Sequence, residues 1–239
     1  SRLKSAALAC LRRTLPTAGS GPVVATREVY CLDALVWLEE KGRLDGCSLV
    51  ASMPDFAEFP HRSLEQWQDW FVGAAERVLA SCPPAGVSIF YQSDIKHQGV
   101  WVDKGFLCQL AARKLGHAQL WHKVIARVAP GTPTFGRPGY GHLLCFSAEL
   151  RPPLERSTAD IIPVRGRTTW ARGLGLEVCR LICRYLLKNT ASRTLVAPFC
   201  GEVLLLAVAN QMGLEAVGIE LSRKRAEKAR RQEVQPAKR

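Results

Sequence analysis

The stretch RTLVAPFCGEVLLLAVANQMGLEAVGIEL, residues 193–221, contains the strongest fold signal in the chain. Its apolar pattern predicts a strand, a tight turn of small residues, a helix and a second strand. The turn at residues 198–202 would bring backbone N–H groups and a helix N-terminus to a ligand. Glu220, about 20 residues further on, could accept hydrogen bonds from a ribose. This order is typical of a nucleotide site, although an ordinary βαβ unit without a ligand has much the same pattern.

The rest of the chain alternates short strands with longer helices, which predicts an α/β domain with a mainly parallel sheet. The predicted strands are residues 48–52, 86–92, 119–126, 142–147, 193–197 and 216–220. The predicted helices are residues 64–81, 103–115, 174–188, 202–212 and 222–232. Residues 130–141 are rich in Gly and Pro, and residues 150–172 are polar and basic. Neither segment has the regular spacing of apolar residues that marks a helix or a strand, so we expect both to be substrate-facing loops.

Length and composition indicate one globular domain. The chain has 239 residues, of which 47% are apolar and 23% charged, and this composition excludes a disordered or fibrous protein. The longest apolar run, residues 203–209, falls far short of the roughly 20 residues that span a bilayer. We therefore expect no transmembrane helix and no membrane partner.

Positive charge is concentrated at the two ends of the sequence. The chain has 33 Lys and Arg against 21 Asp and Glu, a net charge of +12. Residues 1–27 carry +5 and residues 223–239 carry +6, so the residues between them are near +1. We divide the chain into a basic arm (1–27), a domain (28–232) and a basic tail (233–239). The charged ends predict a polyanionic partner, RNA ahead of DNA, although a solvated helix and tail would look the same.

The first residues also have the composition of an organelle transit peptide. They contain Arg and Ser, no acid, and Leu3, Leu8, Leu11 and Leu15 at amphipathic spacing. This pattern predicts a mitochondrial protein. A simple basic arm fits equally well, and the protein would then be cytoplasmic or nuclear.

The cysteines favour neither a metal site nor a disulfide framework. Their number, nine, is odd, and none forms a C-x-x-C pair, so we assign no metal and expect a reducing compartment. Cys179 and Cys183 stand four residues apart on one face of a predicted helix. We expect both to be buried as small hydrophobic residues.

Four segments occur in an order that is informative as a whole. They are VYCLDALVWLEEKGRLDGCSLVASMPDF (29–56), YGHLLCFS (140–147), TTWARGLGLEVCRLICRYLLKNT (168–190) and VAPFCGEVLLLAVANQMGLEAVGIEL (196–221). In this order they resemble the circularly permuted, β-type branch of S-adenosylmethionine-dependent amino-methyltransferases, in which the target-base half precedes the cofactor half. The resemblance runs from near residue 29 to near residue 231.

The resemblance implies a Rossmann-like sheet of seven strands that binds S-adenosylmethionine, with Glu220 on the ribose. The other implied cofactor residues are Pro198, Phe199, Cys200, Gly201 and Thr169. The implied acceptor residues are Ser52, Pro54, Asp55 and Phe56. In the family, a D/N/S-P-P-aromatic motif accepts hydrogen bonds from the exocyclic amine of a base and stacks a ring on it. The amine nitrogen then attacks the methyl group of a sulfonium in line.

The sequence departs from the family pattern at both motifs. Asp55 occupies the aromatic position and the ring comes one residue late, so Asp55 is either a general base or a cap for the turn. Ala197 replaces the family's Asp, and Val203 replaces a Gly that serves positive φ or close approach. The loop is therefore rebuilt or the cofactor is lost. Glu202 would also repel the carboxylate of the cofactor.

Several basic and aromatic residues are candidates for contact with nucleic acid. Phe135, Arg137 and Tyr140 combine rings with a cation in the Gly/Pro loop, as in proteins that bind single strands. Arg165 and Arg167 precede the predicted cofactor helix and could meet phosphates. The alternative for the Gly/Pro loop is a packed loop without a ligand. The alternative for Arg165 and Arg167 is a solvated loop.

Two functions follow from these observations. The first is an S-adenosylmethionine-dependent methyltransferase that acts on RNA or, second, on DNA. The other is an inactive protein of the same fold that serves as a structural or assembly subunit of a mitochondrial ribonucleoprotein particle, such as the ribosome.

Overall fold

The computed structural model describes residues 25–234, apart from residues 154, 156, 170–172 and 203. Outside the described residues lie the segment for which a transit peptide is one prediction, nearly all of the basic arm, Val203 and most of the basic tail. The strands are β1 Arg27–Tyr30, β2 Cys47–Ala51, β3 Ser88–Gln92, β4 Ile95–His97, β5 Val100–Val102, β6 Ala118–Ala126, β7 Tyr140–Ser147, β8 Ile161–Ile162, β9 Thr194–Pro198 and β10 Glu215–Ile219. The α-helices are α1 Ala34–Lys41, α2 Leu64–Ser81, α3 Lys104–Lys114, α4 Leu176–Asn189, α5 Leu205–Gln211 and α6 Arg223–Arg231. None of the described helices is long and apolar enough to cross a bilayer.

Eight of these strands form one sheet in the order β1-β10-β9-β2-β3-β7-β6-β8. The strands from β1 to β3 in this order are parallel, whereas β7 is antiparallel to both β3 and β6. The predicted α/β class and mainly parallel sheet are confirmed. The expected count of seven strands is wrong for the described residues, because β8 pairs with β6 from within the predicted loop. A strand of two residues has too little periodicity to be predicted.

Helices cover both faces of the sheet. α4, α5 and α6 pack on one face, where Ile182 is fully buried, and α1, α2 and α3 pack on the other, where Trp67 and Phe71 are fully buried. Burying an Ile or Phe side chain stabilises the fold by roughly 1.5–3 kcal/mol relative to leaving it exposed. Cys179 and Cys183 are buried on α4, as their spacing predicts.

The predicted strands and helices form near their predicted positions, whereas several other short elements are missing from the prediction. α2 spans the predicted residues 64–81, since Ser63 and Gln66 form a capping box at its start and Pro83 follows its end. β1, α1 and the antiparallel β4–β5 hairpin are not predicted. None of these elements exceeds eight residues, which is too short for a clear period.

The predicted boundary between arm and domain falls inside the sheet. Arg27, assigned to the arm, is the first residue of β1. Its guanidinium donates to the carbonyls of Ala229 and Gln232 at 3.0 and 2.6 Å. Arg230 of α6 donates in turn to the Val29 carbonyl at 2.6 Å. Part of the terminal positive charge therefore attaches α6 to β1.

The loop before α4 closes the N-terminus of that helix. The Leu176 N–H donates to the Arg167 carbonyl at 2.9 Å, and the Glu177 N–H donates to the Arg165 carbonyl at 3.1 Å. A Cβ on Gly175 would fall 1.9 Å from the Arg165 carbonyl oxygen. Only glycine fits this position unless the loop moves.

Gly175→Ala should therefore lower the free energy of unfolding by roughly 1–3 kcal/mol, because the added methyl group forces the loop away from α4. Gly73→Ala is the matched control, since Gly73 lies inside α2 with nothing within 4 Å of its Cβ position. We expect Gly73→Ala to raise the free energy of unfolding by about 0.5–1 kcal/mol. Urea unfolding followed by circular dichroism measures both, and equal effects would contradict the close packing of this loop.

Candidate functional site

A cavity of about 550 Å³ lies at the edge of the sheet where β2, β3, β9 and β10 end. Residues 52–55, which follow β2, line it together with residues 199–201 after β9 and Glu220 after β10. Parallel strands place their carboxyl ends at one edge of a sheet, and α/β proteins bind ligands there. The predicted acceptor and cofactor segments therefore share one cavity.

Asp55 begins a single 3₁₀ turn, Phe56–Glu58, at the end of the acceptor segment. Its carboxylate accepts a hydrogen bond from the Phe56 N–H at 3.0 Å, so Asp55 does cap the turn, as one alternative predicts. The ring of Phe56 packs against Trp67 and His97, with centroid distances of 5.8 and 4.9 Å. Phe56 lies outside the cavity lining, and a stacking role for it stays a prediction.

The Asp55 carboxylate also faces two cations. Arg137, from the Gly/Pro loop, contacts Oδ2, and Lys104, the first residue of α3, has its Nζ 3.8 Å from Oδ1. Asp55 and Lys104 are 6% and 3% exposed. Because the carboxylate already has these partners, the geometry favours a positioning role for Asp55 over that of a general base.

The cofactor loop has an uncommon backbone. Phe199, which follows β9, has φ +58°, and Gly201 has φ +56°. A left-handed conformation costs a residue with a Cβ roughly 1–2 kcal/mol, whereas glycine adopts it freely. The strained position therefore falls on Phe199. Val203, at which the sequence departs from the family pattern, lies outside the described residues.

Glu220 is held between the loops that follow β9 and β10. Its Oε2 accepts from the Gly201 N–H at 2.9 Å, and its Oε1 accepts from the Ser222 N–H at 2.8 Å. Glu202, expected to repel a cofactor carboxylate, is bonded through both oxygens to Lys228 Nζ at 3.0 Å. This charged hydrogen-bonded pair offsets the expected repulsion.

The remaining implied cofactor residues differ in their positions. Cys200 lines the cavity, whereas Pro198, the last residue of β9, and Thr169 lie outside its lining. The Thr169 hydroxyl donates to the Glu202 carbonyl at 2.7 Å. Direct contact of Pro198 or Thr169 with a cofactor stays a prediction.

One wall of the cavity consists of three rings, of which the sequence identifies Phe199 and misses Phe59 and Trp70. The ring centroids of Phe59 and Trp70 are 4.4 Å apart, and those of Trp70 and Phe199 are 6.4 Å apart. The Arg62 guanidinium lies 5.3 Å from the Phe59 centroid and 5.8 Å from that of Trp70. Such a wall can bind a flat or cationic group. The helical period of α2 gives no signal that would single out Trp70.

The residues predicted to contact nucleic acid have different surroundings. Arg137 lines the cavity, and Phe135 in the same loop is 89% exposed. Tyr140 begins β7 and packs its ring 5.3 Å from that of His142. The segment that contains Arg165 and Arg167 closes α4 through its backbone carbonyls, as described above. Contact of these residues with nucleic acid stays a prediction.

Asp94 connects the β4–β5 hairpin, α3 and β7. Its Oδ1 accepts from the Lys104 N–H at 2.9 Å, and its Oδ2 accepts from the Trp101 indole at 3.2 Å and from His142 Nε2 at 2.9 Å. His142 Nδ1 lies 2.9 Å from His122 Nε2. Burial raises the pKa of Asp94, but the hydrogen bonds outweigh burial and leave the pKa below its ordinary value.

Asp94, Asp103 and His142 also bring potential metal-ligand atoms within 4.8 Å of one another. Asp94 already accepts three hydrogen bonds, one of them from His142. These bonds account for the cluster as a structural network, and we assign no metal to it.

Several solved structures with a similar fold are described as methylases or methyltransferases. One is a protein of Thermus thermophilus described as a candidate DNA modification methylase, which matches at TM-score 0.66 and 19% identity over 86% of this chain and 93% of its own. Its complex with S-adenosyl-L-methionine also matches at TM-score 0.66 and 19% identity, over 85% and 92% of the two chains. The cytosine-N4-specific PvuII DNA methyltransferase matches at TM-score 0.65 and 14% identity, over 86% of both chains.

The likeness to these proteins is one of fold. No protein-family model matches the sequence, and no curated protein matches it. The chain therefore has the architecture of these methyltransferase structures, and its activity has to be inferred from the site.

The Asp94 network predicts a specific acid sensitivity. A carboxylate whose pKa is lowered by folding adds stability above its unfolded pKa of about 3.9, and that stability is lost as pH falls through the folded pKa. Asp94→Asn should lower the free energy of unfolding at pH 7 by about 1–3 kcal/mol and flatten its fall below pH 4. Denaturant unfolding from pH 7 to pH 2.5 measures both effects. Asp69→Asn, on the exposed side of α2, is the control. If the free energy of unfolding of Asp94→Asn falls below pH 4 as steeply as that of the parent, Asp94 is not the source of the acid sensitivity.

Proposed function

We propose that this protein is an S-adenosylmethionine-dependent methyltransferase that acts on nucleic acid. The observation that carries the proposal is the shared cavity, which is lined by the acceptor segment 52–55, the loop 199–201 and Glu220. The methyltransferase fold of the similar solved structures supports it.

The cavity suits the cofactor in size and in chemistry. Its volume of about 550 Å³ lies within the roughly 300–1,000 Å³ of small-molecule sites. Glu220 offers a carboxylate for ribose hydroxyls, and the rings of Phe199 and Trp70 offer apolar surface to a purine. A Cβ on Gly201 would meet nothing within 4 Å, so the backbone there can be approached closely.

The residues of the chain would act mainly by alignment. When bound, S-adenosylmethionine would supply an electrophilic methyl group: its sulfur–methyl bond would break as the bond to the amine nitrogen forms, S-adenosylhomocysteine would leave, and the amine would lose a proton to water. The acceptor segment 52–55 holds an amine with its lone pair toward that methyl group, while Arg137 and the Phe56 N–H fix the Asp55 carboxylate that orients the amine. Alignment of this kind is worth on the order of 7–11 kcal/mol.

We propose RNA as the target ahead of DNA. The basic ends of the sequence support a polyanionic partner, and Arg223 and Lys224 of α6 are exposed. Exposed Phe135 beside Arg137 offers a ring for stacking on an unpaired base. A mitochondrial location is part of this proposal, and it rests on the composition of the N-terminal arm.

An inactive assembly factor of a mitochondrial ribonucleoprotein particle is the second candidate. Ala197 favours it, because this residue is buried on β9 and offers no carboxylate where the family has Asp. The protein would then keep the fold and bind RNA without binding S-adenosylmethionine.

Calorimetric titration with S-adenosylmethionine and S-adenosylhomocysteine tests the proposal. For an enzyme we expect micromolar binding, weakened roughly 10- to 100-fold in Glu220→Ala through loss of a charged hydrogen bond. Glu215→Ala removes the same charge at the opposite end of β10 and should bind like the parent. Absence of binding at millimolar ligand would overturn the proposal and favour the assembly factor. The assembly factor would also be favoured if the double variant Ala197→Asp with Val203→Gly binds S-adenosylmethionine and the parent does not.

Transfer of a labelled methyl group to RNA and DNA of matched sequence tests the choice of target. We expect incorporation into single-stranded RNA to exceed incorporation into duplex DNA, because the basic ends and exposed Phe135 suit a flexible strand with unpaired bases. Boiled protein and the Glu220→Ala variant are the controls. Greater incorporation into DNA would contradict RNA as the target and leave the methyltransferase proposal intact.

Phe199→Gly tests whether the strained loop serves a ligand. Glycine removes the cost of the positive φ, so the free energy of unfolding should stay within about 1 kcal/mol of the parent despite the lost ring. Affinity for S-adenosylmethionine should nevertheless fall by at least about 10-fold, since a stacking surface is lost. Phe59→Gly is the control for stability alone, because Phe59 has φ −123° and its replacement brings no relief of strain. Unchanged affinity in Phe199→Gly would exclude this ring from the binding site.

A further inference from the structure

Lys104 occupies a position that a purely structural role does not explain. It is the first residue of α3, lines the acceptor end of the cavity and is 3% exposed. A helix N-terminus carries a partial positive charge, so both the helix dipole and burial disfavour an ammonium group there. Asp94 binds the Lys104 backbone N–H, which leaves the side chain unnecessary for that contact.

The Lys104 ammonium makes no hydrogen bond within the described part of the chain. Its ion-pair partner, Asp55 Oδ1, is 3.8 Å away, which is beyond hydrogen-bond distance. Arg137 contacts the other oxygen of the same carboxylate. Burial lowers the pKa of Lys104, Asp55 raises it and Arg137 lowers it again, so that it lies below the ordinary value.

Gln92 adds a second buried polar side chain to the same cavity. It is the last residue of β3 and is 1% exposed. Neither its Oε1 nor its Nε2 has a hydrogen-bond partner among the described residues. Burial of a polar group without a hydrogen-bond partner is costly. The Gln92 carboxamide has no such partner and the Lys104 ammonium has only the ion pair with Asp55, so these two residues on one cavity indicate a ligand that bonds to them.

We propose that Lys104 and Gln92 recognise the methyl acceptor. Lys104 donates a hydrogen bond to an acceptor atom on the edge of a nucleobase, and the Gln92 carboxamide contributes a donor and an acceptor beside it. Base edges carry carbonyl or ring-nitrogen acceptors next to amino groups. A base held by Lys104 would therefore present its amine to the acceptor segment 52–55. This inference rests on the proposed function, and it assigns recognition to residues outside that segment.

Acylation of lysines tests the inference on the intact chain. We expect an amine-directed reagent such as acetic anhydride to modify Lys104 through the cavity, as detected by peptide mass spectrometry. A short single-stranded RNA of mixed sequence, added with S-adenosylhomocysteine, should slow this modification at least about 10-fold, because its base covers the ammonium. Lys114, in the last turn of α3 and 54% exposed, is the internal control and should react at an unchanged rate.

Lys104→Met separates recognition from structure. For recognition, binding of the same RNA should weaken roughly 10- to 100-fold, while the melting temperature stays unchanged or rises by roughly 2–4 °C as a buried charge is removed. Lys114→Met removes the same charge from the same helix and controls for general attraction to phosphate. Gln92→Met should likewise weaken RNA binding and raise the melting temperature.

Three results would overturn the inference: no modification of Lys104 in the free chain, no protection by RNA, or a Lys104→Met protein that melts earlier and binds RNA like the parent. The last would make Lys104 only the ion-pair partner of Asp55. Titration of the same variants with S-adenosylmethionine keeps the two proposals apart. A parent that binds the cofactor while Lys104 stays unprotected contradicts recognition alone, and one that fails to bind it contradicts the methyltransferase.

Discussion

The parallel pairing of β9 with β2 determines where the rest of the site lies. Residues 47–49 pair with residues 194–196, which joins two halves of the chain far apart in sequence. Buried Ser48 reinforces the pairing, since its Oγ lies 2.7 Å from Ser192 Oγ and accepts from the Val87 N–H at 3.2 Å. One hydroxyl therefore connects the starts of β2, β3 and β9. Because these strands start together and run parallel, their carboxyl ends also lie side by side. The segments that follow them therefore line one cavity.

Ion pairs then connect the two sides of this cavity with different strengths. Arg225 of α6 bonds to Glu58 at 3.2 Å, but both side chains are about 40% exposed, and such pairs contribute roughly 0–1 kcal/mol. Arg137 and Asp55 form the other pair, in which the carboxylate is buried. A buried carboxylate without a partner costs more free energy than an exposed one. A ligand can therefore displace Arg225 at little cost, whereas it has to satisfy Asp55 if Arg137 moves.

The sequence predicts the parts of this molecule that have a repeating local signal. The buried strands and α2 are predicted within one or two residues, because apolar period and capping residues lie within the segment itself. β1 and β8 are strands because they pair with β10 and β6, respectively. The burial of Lys104 and the positive φ of Phe199 also depend on neighbours distant in the sequence. For that reason the acceptor and cofactor segments and Arg137 could be located from the sequence, whereas Lys104, Phe59 and Trp70 beside them could not.

Glu220 shows why internal hydrogen bonds do not argue against a ligand. Its two oxygens accept from the N–H groups of Gly201 and Ser222. A carboxylate has about four lone-pair sites, so roughly two remain for ribose hydroxyls. The two backbone bonds fix the carboxylate in place, which reduces the entropy lost when a ligand binds. Ala197, at the position where the family resemblance implies an Asp, is buried within β9. The geometry around Glu220 therefore favours binding even without a carboxylate at position 197.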